Sequence, residues 1–405
     1  MQMVSAVSTL ETVPAMAQDI EGQLKAVLPR SPDLLLVFVS YAMANSFSQV
    51  VSMLQQAMVP GHMVAVVGES VIGGEQELER TVALSALALV APGVGLHSFH
   101  MEEDQWQALL TDDEFLAETI CPAASGDAEE AALRAFVMFG DPFTTPVVQL
   151  LDACSRRFPG VPVIGGMASG MQHAGDTRLA LNGEIHTTGM VGISIAGEIE
   201  INCVVSQGCR PIGEGFTVTK CRQNLIEELN GKPALAAIEE MIGGLSEHDR
   251  GLVAEGGLQI GRVIDEGKGN QGRGDFLIRA LVGVKRETGA ILIGDYIRPG
   301  QTLQFHVRDA KTADEEMRLL LEGETMLASA TPPAGALLVT CNGRGQRLFN
   351  VPHHDVGLVR QVMGAMPIAG FFAAGELGPV GDRNFIHGHT AVLAVFRAAG
   401  AGAGS

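Results

Sequence analysis

The segment Leu34-Leu-Leu-Val-Phe-Val39 is followed by helical spacing of apolar residues over 46–58, and then by a second apolar run over 63–67. This second run ends in Gly68-Glu-Ser-Val-Ile-Gly73. Short continuous apolar runs indicate buried strands, and apolar residues recurring every three or four positions indicate an amphipathic helix. The stretch therefore predicts a strand–helix–strand unit that is closed by a glycine-bounded turn.

The same order of strand, helix and strand returns once in the middle of the chain and once near its C-terminus. The predicted elements of these further copies lie at 135–139, 146–158 and 161–164, and at 336–340, 355–363 and 367–369. Both copies end in a G-x4-G sequence, over 165–170 and 370–375, and strand-like sequence follows each of the three copies. Repetition at this level indicates one structural unit used three times.

The pattern predicts an α/β to α+β fold, with mixed sheets built from repeated β-α-β units, following antiparallel strands, and helices packed on the sheets. Between the second and third copies the pattern changes to two helices, at 233–241 and 313–321, and four strand-like runs, at 258–264, 276–284, 290–296 and 302–308. We therefore expect an N-terminal segment (1–31), a domain with two copies (32–231), a domain with the third copy (232–397) and a disordered Gly/Ala tail (398–405).

Charge and composition argue against a nucleic-acid-binding, membrane-spanning or secreted protein. The 405 residues include 46 acidic and 27 basic ones, which gives a formal net charge of −19. Such a balance argues against nucleic acid or anionic membrane surfaces as partners, because phosphate binding needs concentrated Lys and Arg. No apolar run reaches the roughly 20 residues of a membrane-spanning helix, and the N-terminus lacks a secretory signal pattern. The six cysteines include no C-x-x-C pair, which favours reduced thiols in a cytoplasmic protein. We expect no metal or cofactor.

The candidate ligand-binding residues lie in the third copy. Parallel strands joined by a crossover open at the same sheet edge, where α/β proteins bind ligands. Cys341-Asn-Gly-Arg-Gly345 follows its first strand, and the second strand leads into Gly370-Phe-Phe-Ala-Ala-Gly-Glu376. We expect Arg344 to bind a carboxylate and Glu376 to accept from an ammonium group. Either Phe371 or Phe372 would form an apolar wall. The candidate ligand-binding residues are Cys341, Asn342, Gly343, Arg344, Gly345, Gly370, Phe371, Gly375 and Glu376.

Alternatives to ligand binding stay open. Arg344 and Glu376 are also suited to a purely structural ion pair. Cys341 beside a cation has the environment of an activated thiolate, so an enzyme that uses Cys341 or Glu376 is a second hypothesis. A protein–protein adaptor without a ligand is the third. His387 and His389 share a strand face, but without a third ligand in the sequence pattern they are interpreted as ordinary polar strand-edge residues rather than a metal site.

These motifs, taken in order, resemble the FIST family, whose members combine a FIST-N and a FIST-C part. The N-terminal part resembles 34–223 and the C-terminal part 232–396, including the sequences 274–279, 300–309, 341–345 and 370–379. The resemblance implies an intracellular sensory module for a small polar ligand, such as an amino acid. The first 30 residues are too short for the F-box that precedes some members, and no kinase, cyclase or chemotaxis region is present. We therefore expect a stand-alone sensor, not an enzyme, that signals through a separate partner.

Overall fold

The computed structural model describes residues 1–122, 133–268, 271–272, 274–327 and 331–399. Its strands are, in chain order, β1 (Gln2–Ser8), β2 (Leu34–Ser40), β3 (His62–Gly68), β4 (Val71–Gly73), β5 (Gln76–Leu78), β6 (Leu84–Val90), β7 (Val94–Met101), β8 (Leu133–Gly140), β9 (Val163–Met167), β10 (Leu179–Leu181), β11 (Glu184–His186), β12 (Met190–Gly197), β13 (Ile199–Ser206), β14 (Cys209–Arg222), β15 (Leu225–Leu229), β16 (Lys232–Pro233), β17 (Leu258–Val263), β18 (Phe276–Lys285), β19 (Ala290–Ile293), β20 (Thr302–Arg308), β21 (Gly335–Cys341), β22 (Ile368–Ala373), β23 (Glu376–Val380), β24 (Arg383–His387) and β25 (Ala391–Ala398).

The helices over the same described residues are α1 (Val13–Lys25), α2 (Phe47–Met58), α3 (Trp106–Thr111), α4 (Asp113–Ile120), α5 (Val147–Arg157), α6 (Ala234–Gly243), α7 (Glu247–Leu252), α8 (Ala310–Leu327), α9 (Gln346–Phe349) and α10 (His354–Met363). None of these described helices is long and apolar enough to cross a membrane.

The chain divides into two compact units. The larger unit contains residues 1–205, 318–386 and the chain from 390 on, and the smaller unit contains 206–317 and 387–389. All three predicted copies therefore belong to the larger unit. Lys232, where the sequence suggests a domain boundary, lies in β16 of the smaller unit.

In the larger unit, the described residues form three six-stranded sheets with one common plan. Their strand orders are β1-β6-β2-β3-β10-β11, β7-β12-β8-β9-β23-β24 and β13-β25-β21-β22-β4-β5. The two central strands of each sheet are parallel and are joined by a crossover helix, α2, α5 or α10. An antiparallel strand, β6, β12 or β25, lies beside them. The predicted α/β to α+β architecture of repeated β-α-β units with following antiparallel strands is confirmed.

The short hairpin after each β-α-β unit joins the sheet of another copy. Strands β4–β5 of the first copy pair with β22 of the third, and β10–β11 of the second copy pair with β3 of the first. Strands β23–β24 of the third copy pair with β9 of the second. The three sheets therefore exchange hairpins in a closed cycle, which the local sequence pattern did not predict.

Both terminal segments contribute strands to the sheets of the larger unit. The N-terminal segment supplies β1, which pairs with β6 along its whole length, and α1, whose apolar face is buried against the first sheet. Strand β25 extends to Ala398, and the remainder of the predicted tail, 400–405, lies outside the described residues.

The centre of the larger unit is a closed aromatic core. Phe38, Phe139 and Phe371 come one from each copy and have no solvent exposure. The ring centroids of Phe38 and Phe371 are 5.7 Å apart, and Phe139 lies 5.8 Å and 5.6 Å from them. Aromatic contacts at these distances add to the energy of apolar burial. The three copies thus share one core beneath their strand ends.

The described strands of the smaller unit form an antiparallel barrel. The pairing order is β14-β20-β17-β18-β19-β15, and β15 pairs back onto β14, which closes the ring. The four strand-like runs predicted for this region correspond to β17, β18, β19 and β20. Helix α6 packs Ala234, Ala237 and Ile238 against the apolar interior. Closure leaves no long exposed sheet edge in this unit.

Candidate functional site

A cavity of about 480 Å³ lies in the larger unit where strand ends of the three copies meet. Tyr41 and Glu69 directly follow the two parallel strands of the first copy, and Asn342 follows the first parallel strand of the third. The remaining lining residues come from the turn after β2, from the β3–β6 segment and from the segment after β9. The cavity is lined by Tyr41, Ala42, Glu69, Arg80, Gly170, Met171, Gln172 and Asn342. Its position at the carboxyl ends of parallel strands is where α/β folds bind ligands.

Two serines fasten the strand ends to one another. The Ser169 hydroxyl donates to the Phe372 carbonyl at 2.5 Å and accepts from the Glu69 backbone N–H at 2.7 Å. The Ser70 hydroxyl accepts from the Arg80 N–H at 2.9 Å, and the Ser70 carbonyl accepts from the Phe372 N–H. Because these bonds join all three copies, the cavity wall has a defined backbone geometry.

Two polar side chains at this cavity are suited to a ligand. The Asn342 side-chain oxygen is buried and has no hydrogen-bond partner among the described residues. Arg80 is exposed, and its guanidinium forms no ion pair with any described residue. A buried acceptor without a donor is energetically unfavourable, by about 1–3 kcal/mol, unless water or a ligand satisfies it. The cavity thus offers an unsatisfied acceptor and an unneutralised cation.

The carboxylate at the cavity is already neutralised. Glu69 forms a two-pronged ion pair with Arg347, with distances of 2.7 Å and 3.2 Å between nitrogen and oxygen. Arg347 also donates to the Asn342 carbonyl at 2.9 Å. This arrangement ties the first copy to the third and holds the backbone of Asn342 at the cavity.

Arg344 lies behind this wall with no solvent exposure. Its Nε donates to Asp355 Oδ2 at 2.7 Å and its Nη2 to Asp355 Oδ1 at 2.8 Å. Thr340 and His354 also contact that carboxylate. Burial alone would raise the pKa of Asp355, but the charge and hydrogen bonds of Arg344 outweigh it and hold the pKa well below its ordinary value. The planar fork of Arg344 is therefore directed at a carboxylate of the protein itself.

Two further carboxyl groups share this buried centre. Burial raises the pKa of Glu376 to about 8, although the Thr390 N–H, 3.2 Å away, and the charge of Arg344 act in the opposite direction. Burial, followed by the negative charge of Asp355, raises the pKa of Glu77 to about 8 as well. We call Arg344, Asp355, Glu77 and Glu376 the Arg344 network. At neutral pH two of its three carboxyl groups hold a proton, and only Asp355 balances the guanidinium.

The remaining predicted residues have structural surroundings. Cys341 is half-buried; its sulfur accepts from the Gly343 N–H at 3.5 Å, and its thiol hydrogen-bonds the Glu376 carboxylate. Gly345 has φ near +60°, and a Cβ there would lie 2.6 Å from a Glu79 carboxylate oxygen. These contacts fix the loop that follows β21.

The glycines of the G-x4-G sequences serve close packing. Gly165 and Gly370 are each the third residue of their strand, and a Cβ there would lie 1.9 Å and 1.7 Å from the carbonyl oxygen of the neighbouring strand. Gly68, in contrast, is the last residue of β3. Gly375 has φ near +132°, and its carbonyl accepts from the Met167 N–H. The first glycine of the G-x4-G sequence, Gly165 or Gly370, therefore has the same packing role in the second and third copies.

Of the predicted site residues, Asn342 alone is among those that line the cavity. Phe371 is part of the aromatic core, and Arg344 and Glu376 are sealed beneath the surface. Their role as direct ligand contacts stays a prediction. The sequence reasoning missed Glu69 and Arg80, although Glu69 follows a predicted strand end directly. Over the described part of the chain, no group of three or more His, Cys, Asp or Glu side chains has the geometry to hold a metal ion.

Two family models match almost the whole chain: the FIST N domain over residues 33–232 and the FIST C domain over residues 234–379. The chain belongs to the FIST family. Domains of this family are associated with the sensing of small ligands. The resemblance of the strand-end motifs to FIST sequences is thereby confirmed.

Similar proteins occur in mycobacteria. An uncharacterised protein of Mycobacterium tuberculosis is 37% identical over 368 residues, which cover 90% of this chain and 91% of that protein. An uncharacterised protein of Mycobacterium bovis is 38% identical over 386 residues, covering 94% and 95%. Among solved structures, a cyanuric acid hydrolase from A. caulinodans aligns over 98% of this chain and 99% of its own, with 10% identity and a TM-score of 0.35. At that TM-score the likeness supports no conclusion about this chain.

Proposed function

We propose that this FIST protein is a cytoplasmic sensor that binds a small zwitterion, such as an amino acid, in the strand-end cavity and signals through a separate partner. The observation that carries the proposal is the pairing, in one cavity, of the unsatisfied Asn342 oxygen with the unneutralised Arg80 guanidinium. The volume of about 480 Å³ is within the range of about 300–1,000 Å³ of small-molecule sites.

The chemistry of the lining fits the two ends of an amino acid. A guanidinium presents parallel N–H donors to a carboxylate, which suits Arg80 to the acidic end. An ammonium group has three donors, and the Asn342 oxygen accepts one of them. Tyr41 and Met171 offer apolar surface for a side chain, and Gln172 offers a further amide.

The Arg344 network is assigned a supporting role in this proposal. Arg344 and Asn342 belong to the same short loop after β21, so the buried ion pair with Asp355 anchors the loop that presents Asn342. Direct contact of Arg344 or Glu376 with the ligand is the original sequence-based prediction, and their complete burial favours anchoring instead.

A thermal-shift screen with the twenty amino acids tests the proposal. At 100-fold excess over Kd a ligand stabilises the folded state by about 2.7 kcal/mol, which is readily measured. We expect stabilisation of the wild type that is lost in Arg80→Gln and in Asn342→Leu. Arg286→Gln, which neutralises an exposed arginine in the smaller unit, is the matched control. An absence of stabilisation, or equal stabilisation of all variants, would contradict the proposal and favour an adaptor without a ligand.

A second candidate is an enzyme, favoured by the hydrogen bond between the Cys341 thiol and Glu376. With a pKa of about 8, Glu376 is partly ionised at pH 7.5, and its ionised form has the proton affinity to accept the proton of the neighbouring thiol. Alkylation by iodoacetamide at pH 7.5, mapped by peptide mass spectrometry, distinguishes the two candidates. Rapid labelling of Cys341 that slows in Glu376→Gln supports the enzyme, and an inert thiol contradicts it.

A further inference from the structure

The barrel of the smaller unit has an opening in its wall at the seam where the ring closes. Pairing between β14 and β15 begins at Val218–Leu229 and continues to Arg222–Leu225. Residues 213–216 of β14 extend beyond this paired stretch and lie beside the segment that leads into α6. A cavity of about 440 Å³ occupies the gap.

A bulge in β14 shapes one side of this seam cavity. The register between β14 and β20 shifts between Ile212 and Gly215. Gln304 donates from its side chain to the Gly213 carbonyl at 2.9 Å, which holds the bulge in place. At Gly213, where φ is near +62°, a Cβ would lie 2.8 Å from Met241. Bulges of this kind often re-aim a strand next to a binding site.

The cavity has an apolar interior. Leu229 and Ala237 are almost completely buried beneath it, and Met241 and Leu245 come from α6 and the turn that follows. Phe216 is fixed by an edge-on contact with Phe305, whose ring centroid is 5.5 Å away. A preformed apolar floor with a flexible methionine is typical of a small-molecule pocket.

The rim is acidic. Lys232 and Glu240 form an exposed ion pair at 2.6 Å, and Glu214 adds a second carboxylate to the lining. Two carboxylates against one ammonium group leave one excess negative charge at the mouth. A ligand with a compact apolar body and a cationic end complements both the floor and this rim.

We infer that the seam cavity is a second binding site, separate from the strand-end cavity, for an apolar organic amine. The hydrocarbon or aromatic body enters between Phe216 and Met241, and the ammonium group remains at the rim beside Glu214 and Glu240. This assignment does not depend on the proposed function of the larger unit.

Methyl NMR of the full chain, labelled with ¹³C at the methionine methyl groups, tests the inference, and Met241→Leu assigns the reporting signal. The probes are phenethylamine and 3-phenylpropionate, which share a ring and a two-carbon spacer but differ in the sign of their charge. We expect phenethylamine to shift the Met241 signal saturably, with a Kd at least tenfold lower than that of 3-phenylpropionate.

Charge-neutralising variants complete the test. Glu240→Gln is expected to raise the Kd of phenethylamine about fivefold, in line with the loss of one exposed charge contact. Glu239→Gln, an identical change at an exposed neighbour outside the cavity lining, should stay within twofold of the wild type. The inference is overturned if Met241 does not respond, if both probes bind equally, or if the two variants behave alike.

Discussion

Replacing Glu77 by Gln should change how the stability of the larger unit depends on pH. Glu77 is 2% exposed, and its Oε1 accepts from the Val356 N–H at 2.9 Å at the start of α10. A glutamine keeps the size of the side chain and an acceptor oxygen, but it cannot ionise. The substitution therefore removes the titration while preserving the contact with α10.

The sign follows from the raised pKa. In the folded protein Glu77 has a pKa of about 8, against 4.5 as its ordinary value. Between these pH values the folded state holds a proton that the unfolded chain has released, so the free energy of unfolding falls as pH rises. The stabilisation is fully present below pH 4.5 and is lost as pH rises through about 8.

The size of the effect follows from the same values. Each pKa unit corresponds to about 1.4 kcal/mol. The shift of Glu77 from 4.5 to about 8 thus corresponds to roughly 5 kcal/mol over the whole range, an upper figure because its titration is linked to that of its neighbours. We expect Glu77→Gln to match the wild type near pH 5 within about 1 kcal/mol, and to exceed its stability by several kcal/mol near pH 8.5.

Equilibrium urea unfolding from pH 5 to 8.5 measures this difference. The chain has one tryptophan, Trp106, which is buried in the larger unit, so its fluorescence reports on that unit. Glu118→Gln makes the same chemical change at an exposed position and serves as the control. If the stability curves of Glu77→Gln and the wild type run parallel across this pH range, Glu77 is not the proton-holding group and the reasoning fails.

Three further predictions concern other parts of the fold. Arg344→Met should destabilise the larger unit by about 3–5 kcal/mol in urea unfolding, because it leaves the buried carboxylate of Asp355 uncompensated. Arg347→Met, at the partly exposed ion pair with Glu69, should destabilise it by less than about 1 kcal/mol. Similar losses of stability in the two variants would contradict the burial argument. Burial, followed by the neighbouring His100, lowers the pKa of His186, whose ring centroid is 3.7 Å from that of His100. As the pH falls, the imidazole of the unfolded chain therefore protonates near pH 6.5, before that of the folded protein does, and the free energy of unfolding falls. His186→Asn should lose less stability than the wild type between pH 7 and pH 5. An equal drop in urea midpoint for both proteins over this range would refute the argument. Residues 1–231 expressed alone should give poorly dispersed NMR spectra. In this fragment β3 would keep its hairpin partner β10, but β9 would lack its partner β23. A well-dispersed spectrum would show that the exchange of hairpins between copies is dispensable.

The repeated architecture was predictable because each copy carries a strong local signal. Apolar runs such as 34–39 and helical spacing such as 46–58 depend on neighbouring residues only, and the structure has β2 and α2 there. The rule that strand ends converge directs attention to Asn342, which is among the residues that line the cavity. The same rule applied to the first copy would have drawn attention to Glu69.

The remaining features depend on contacts between distant residues. No local sequence pattern indicates that β4 pairs with β22 of the third copy rather than with a strand of the first copy. Arg344 was expected at a pocket mouth, but Asp355, predicted only as a helix start, binds its guanidinium in the interior. A charged side chain beside a glycine-rich turn is equally consistent with a ligand contact and with a buried ion pair, and only the path of the loop decides between them.

The cyclic exchange of hairpins has a consequence for how the protein is made. Strands β4 and β5 emerge early from the ribosome, yet their partner β22 is synthesised nearly 300 residues later. Until then the nascent first copy carries an unpaired hairpin, and the second copy waits for β23 in the same way. Native closure of the three sheets therefore cannot precede the synthesis of the third copy, and the growing chain needs protection from wrong strand pairing until that copy has left the ribosome.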